Sequence, residues 1–126
     1  MKLLFFCPRW GQELTPWNIF SKNVKDAGYD GIEASLPTSE NEKDELLNGL
    51  NNFGLQFIGQ HWETINPIFN EHYREFEMRL RWLATAKPLF INSQTGKDYY
   101  TFNENKQLID LAKLRTNIST FITHNS

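Results

Sequence analysis

Five short apolar runs, at 3–7, 31–34, 55–59, 89–91 and 118–122, alternate along this chain with longer segments whose apolar residues recur every three to four positions. Strand-sized runs separated by helix-sized amphipathic segments argue for βαβ units, because parallel neighbours need a crossover of a dozen or more residues. Arg9, Glu33, His61, Gln94 and His124 stand at or just past the ends of the runs. Polar or ionisable side chains at repeated strand ends constrain both fold and chemistry before any single motif does.

The punctuation between units is regular. Thr15-Pro16 reads as an N-cap followed by proline at the first helical position, Trp17, Phe20, Val24 and Ala27 form an apolar stripe, and Gly28 ends the segment. Ser39-Glu40-Asn41-Glu42 has the form of a capping box; Leu46, Leu50 and Phe53 follow as its stripe, and Gly54 stops it. A third helix is expected over about 71–86, with Tyr73, Phe76, Leu80 and Leu83 on one side and the pairs Glu75/Arg79 and Glu77/Arg81 solvated on the other. His72, at the start of this charged helix, is set aside as a functional candidate. Lys87-Pro88 ends it, since proline disfavours helix at the residue before it. Thr101-Phe102-Asn103-Glu104 is a second capping box, with Leu108, Leu111 and Ala112 giving the fourth helix its buried side.

Such a succession fits a parallel β/α barrel, whose strands all deliver their carboxyl ends to one face where the chemistry is done. A complete (β/α)8 barrel takes roughly 250 residues. The 126 residues here supply about four units and a fifth strand. The expected fold is therefore α/β, a partial (half) TIM barrel in one domain over 1–126. A half-barrel leaves strand edges open, which invites self-association or pairing with a second half-barrel.

Formal charge narrows the partners. A net charge of −2 leaves no basic surplus to neutralise phosphates, so neither nucleic acid nor an anionic membrane is expected as a main partner. A small molecule is. The one cysteine, Cys7, excludes an internal disulfide framework and fits a reducing, cytoplasmic setting. It reads as a small buried residue. The apolar start before Pro8-Arg9 is shorter than a signal sequence needs, and no stretch approaches the roughly 20 apolar residues of a membrane span.

At the strand ends, Arg9 beside Trp10 can bind a carboxylate or phosphate and stack on a sugar face; alternatively the pair is a surface arginine and a packed indole. Glu33 is a carboxylate straight after an apolar strand, costly to bury without a metal, a substrate hydroxyl or an arginine such as Arg9. Asp30 belongs to the turn at the strand's other end. Gln60-His61-Trp62-Glu63 closes the third strand, and a neutral imidazole there can ligate metal or act as a base. Residues 92–100, Asn92-Ser93-Gln94-Thr95-Gly96-Lys97-Asp98-Tyr99-Tyr100, read as a βα loop whose amides and hydroxyls suit a polyol, with Lys97 as a charge contact. It lacks the glycines and the Gly-Lys-Ser/Thr ending of a phosphate loop.

Cys7-Pro8-Arg9-Trp10-Gly11, Asp30-Gly31-Ile32-Glu33, Gln60-His61-Trp62 and above all residues 87–99 from Lys87-Pro88 through Asn92-Ser93-Gln94-Thr95-Gly96 to Tyr99 resemble the sugar phosphate isomerase/epimerase family of xylose isomerase-like TIM barrels. The likeness runs from residue 1 to about 115. It implies a divalent metal (Mn, Mg, Zn or Co) and a sugar or sugar phosphate at the carboxyl face, with a proton moved next to a carbonyl. Glu33 and His61 then become the catalytic residues, and Arg9, Trp10, Gln60, Trp62, Asn92, Gln94 and Lys97 the substrate contacts. His61 and His124 become metal ligands.

Relatives continue strand five into a His-Glu-Thr-His type segment, whereas this chain has Thr123-His124-Asn125-Ser126. Asn125 stands where the glutamate would be and cannot serve as an anionic ligand or a base. The later strands, which carry the family's principal metal carboxylates, are absent. The resemblance thus implies a truncated or frame-shifted relative, or half of a two-chain enzyme, inactive alone. A non-catalytic carbohydrate-binding or scaffold half-barrel is the alternative, and a metal-dependent hydrolase or endonuclease of the same superfamily is a third, disfavoured by the acidic charge balance.

Overall fold

Asp30 ties together the starts of three strands. Its Oδ2 accepts from Phe5 N at 2.9 Å, its own N donates to Phe5 O at 2.8 Å, and its O accepts from Gln56 N at 3.0 Å. The computed structural model describes residues 2–62, 66–96, 100–116 and 122–125. Among these, strands and helices alternate: β1 (Phe6–Pro8), α1 (Trp17–Asp26), β2 (Gly31–Ser35), α2 (Glu40–Phe53), β3 (Gln56–His61), α3 (Phe69–Ala84), β4 (Phe90–Gly96), α4 (Phe102–Thr116) and β5 (Ile122–Asn125). The chain divides into two compact units, Met1–Gly59 and Gln60–Ser126. No helix among the described residues is long and apolar enough to cross a membrane.

In the first unit β1 and β2 pair in parallel, with Phe6 opposite Gly31 and Pro8 opposite Glu33. Gly31 is required there: an added Cβ would collide with Gln56 O and the Phe6 ring. Trp17, Phe20 and Val24 from α1, Leu46 and Leu50 from α2, Ile32, Ala34 and Phe57 from the strands, and Leu55 just before β3 fill its core. Proline occupies the N-cap of α1 at Pro16, one residue later than the Thr15 cap expected, and no side chain caps the helix. Ala27 is exposed, and Ser21 takes its place on the buried stripe. α2 begins as expected, with Ser39 Oγ accepting from Glu42 N, and ends on Gly54 in the left-handed region.

In the second unit β4 and β5 also pair in parallel, Asn92 opposite Ile122 and Gln94 opposite His124, with an irregularity between Gln94 and Gly96. The polar run after Ile91 is therefore strand as far as Gly96, where a loop was expected from residue 92. Backbone pairing with β5 stabilises it whatever its side chains, and the alternation survives: Ile91 and Ser93 are buried, Asn92 half-buried. The buried stripe of α3 is His72, Phe76, Leu80 and Leu83. Tyr73 is only half-buried, and His72, set aside as a functional candidate, is a core residue. Of the expected α3 pairs, Arg81 meets Glu77 at 3.6 Å, while Glu75 accepts from Asn66. Lys87, just before Pro88, takes φ 50°, outside the helical region. The capping box of α4 closes both ways: Thr101 N donates to Glu104 Oε1 and Glu104 N to Thr101 Oγ1.

Candidate functional site

In the first unit, the loop after β1 is built around Arg9. Its Nη2 donates to Glu13 O and to Thr15 O, each at 3.0 Å, and its Cζ lies 3.3 Å from the centroid of the Trp17 ring. The indole beneath the guanidinium is thus that of Trp17, not the neighbouring Trp10 expected from sequence. Burial lowers the Arg9 pKa, with the Glu42 and Glu13 charges acting against it; a guanidinium stays charged regardless. The loop closes on itself. Gln12 N donates to Arg9 O, Thr15 N to Gln12 O, Thr15 Oγ1 to Gln12 Oε1, and Gly11 N to Glu13 Oε1. Gly11 has φ 81°, a backbone state that an L side chain rarely adopts. Trp10 is left 76% exposed at the tip. The Glu13 carboxyl is held below the usual carboxylate range by its own backbone amide and that of Gly11, so it is ionised at neutral pH.

Glu33 is the third of five residues in β2, opposite Pro8, rather than following the strand. It is half-buried. Cys7 is half-buried too, in place of the fully buried residue expected, and its Sγ–H donates to Pro8 O at 3.5 Å.

In the second unit, His61 ends β3 and is fully buried. Its Nδ1 shares a hydrogen bond of 2.9 Å with Ser93 Oγ of β4, and its ring lies 4.4 Å from that of Phe76. Phe76 in turn contacts His72, which stacks at 4.8 Å on Tyr100. Tyr100 donates its hydroxyl to Asn66 O. Trp62 is half-exposed directly after His61, and Gln60 and Asn92 are half-buried. Gln94 and His124 lie within β4 and β5; their side chains, and the whole of Lys97, fall outside the described residues.

His61, His72 and Ser93 thus form a buried polar seam among aromatics. Ser93 and His72 were missed from sequence, Ser93 because it lay in an apparent loop and His72 because its sequence neighbours are charged. The i, i+4, i+8 spacing of His72, Phe76 and Leu80 was the available signal. Among the described residues, no group of three or more His, Cys, Asp and Glu side chains could hold a metal ion.

No protein-family model, curated protein or solved structure matches the chain.

Proposed function

We propose that this chain is the sugar-binding half of a β/α barrel in the isomerase/epimerase lineage, taking a sugar or sugar phosphate where its strands end. The single observation that supports it best is the composition of those ends. In the first unit Trp10 follows β1 and Glu33 lies in β2; in the second, taken by itself, Gln60 and Trp62 flank the last residue of β3. Asn92 begins the polar part of β4. Aromatic faces beside carboxylate and amide groups suit the C–H face and the hydroxyls of a polyol.

Glu33 is the group proposed to accept a hydroxyl proton, and in a complete barrel to move one next to the carbonyl. The hydrogen bond of His61 with Ser93 joins β3 to β4. The divalent metal implied by the resemblance has no ligand set among the described residues, so the reading rests on hydrogen bonding and stacking alone. The parallel β1/β2 and β4/β5 pairings are compatible with such a βα repeat.

Saturation-transfer NMR against keto- and aldo-sugars and their phosphates tests it. Ring protons of at least one sugar should receive saturation, and Glu33→Gln should weaken that sugar about tenfold, as loss of a hydrogen bond to a charged group does. Absence of transfer to every sugar would refute the reading.

A further inference from the structure

Residues 9–15 contain two charged side chains, Arg9 and Glu13, and the fold turns them opposite ways. Arg9 is spent inside the loop: Nη2 holds two carbonyls, Nη1 is buried without a hydrogen-bond partner, and the guanidinium plane rests on Trp17 with Phe20 5.4 Å away. Neither terminal nitrogen is offered to a ligand. Glu13 is exposed. The outward charge of the loop is therefore negative, although its sequence is neutral.

Trp10 protrudes from this loop. A free indole on a floppy segment would lose orientational freedom on stacking; here the closing hydrogen bonds and the two carbonyls held by Arg9 fix the backbone beforehand. In the same loop, Glu13 Oε1 and Gln12 Oε1 are engaged by Gly11 N and Thr15 Oγ1. Glu13 Oε2 and Gln12 Nε2 are left as an acceptor and a donor among the described residues. One aromatic face with one donor and one acceptor complements a hydroxylated ring better than a hydrocarbon surface.

We infer that residues 9–15 form a preformed stacking subsite for an uncharged sugar ring, with Trp10 as platform and Arg9 as the positioning residue that holds it. The inference rests on the sugar-binding reading above and narrows it: at this loop the sugar carries no phosphate. A phosphate set against the ionised Glu13, with Arg9 turned away, meets repulsion.

The test is fluorescence titration of the full chain at low salt with D-fructose, D-glucose and their 6-phosphates. The neutral sugar should bind about threefold or more tighter than its phosphate, a Coulombic difference that added salt removes. Trp10→Ala should weaken both about tenfold, the scale of a lost aromatic contact. Arg9→Lys keeps the charge but loses the planar fork. It should weaken sugar and phosphate by the same factor, and speed amide exchange at Gln12 and Thr15. Glu13→Gln, which keeps the acceptor for Gly11, should abolish the penalty on the phosphate even if the Arg9 variant fails to fold. Met78→Ser, on the exposed side of α3, should change nothing. Tighter binding of the phosphate, with Arg9→Lys abolishing only that preference, would overturn the inference by making Arg9 an anion contact. Sugar binding undiminished in Trp10→Ala would overturn it while leaving the sugar-binding reading intact. No binding by the wild-type chain would defeat both.

Discussion

Burial raises the Cys7 thiol above its ordinary pKa, and a hydrogen bond with Tyr29 lowers it in part. The unfolded chain therefore ionises its thiol first, and the folded chain holds the proton to higher pH. The stability contribution is fully present below the ordinary thiol value of about 8.5 and is lost as pH rises towards the raised folded value. Urea midpoints measured from pH 7 to 10 should decline, and Cys7→Ala should flatten the decline. An unchanged slope in the variant would mean that Cys7 does not couple to folding. The hydroxyl of Ser93 serves the other buried polar group. Ser93→Ala removes its bond to His61 and should cost about 1–3 kcal/mol, the scale for a buried polar group that loses its partner. Equilibrium denaturation showing less than about half a kcal/mol would show the bond to be dispensable. Neither effect was legible in sequence. Cys7 was read as wholly buried, and Ser93 as part of a loop, because one residue's identity does not reveal what lies across the sheet.

Helix α1 crosses α2 at Gly49, where an added Cβ would collide with Ser21 Oγ. That hydroxyl is itself buried with no hydrogen-bond partner. Gly49→Ala should destabilise by about 1–3 kcal/mol through overpacking, despite the better helix propensity of alanine. Ser21→Ala alone should be neutral or stabilising, because it removes an unsatisfied hydroxyl. Thermal denaturation of the double variant should recover at least about 0.5 kcal/mol of the Gly49→Ala loss; strict additivity would contradict the proposed contact. Elements whose ends carry their own hydrogen-bonding code were legible. Ser39 with Gly54 bounded α2, and the Thr101/Glu104 pair started α4 where it was expected. The continuation of β4 beyond the strand expected at 89–91 was not legible, because a strand continues wherever its backbone finds a neighbour and Ser93-Gln94-Thr95 carries no apolar signal. In α3 Phe76, Leu80 and Leu83 are buried as expected, and only the first place of the stripe differs, His72 in place of Tyr73, because imidazole was counted as polar. Arg9 was expected to aim its fork at a ligand. Only the return of the chain through Thr15 to Trp17 shows it aimed at its own loop.

Across the whole molecule the alternation of strands and helices and the parallel sense of β1/β2 and β4/β5 were readable from spacing alone. The open edge expected of a half-barrel is blunted at β1. It is three residues long, and Pro8 within it has no N–H to offer a further strand. A net charge of −2 agrees with a small polar ligand rather than a polyanion. The central claim is that polar residues at and around the strand ends, not the helices, recognise a sugar. Amide-resolved NMR of the full chain titrated with D-fructose tests it most directly. The account predicts shifts concentrated at residues 9–15, Glu33, Gln60, Trp62 and Asn92, with the helical amides of residues 40–53 and 102–112 unmoved. Shifts confined to the helices, or none at saturating sugar, would contradict it.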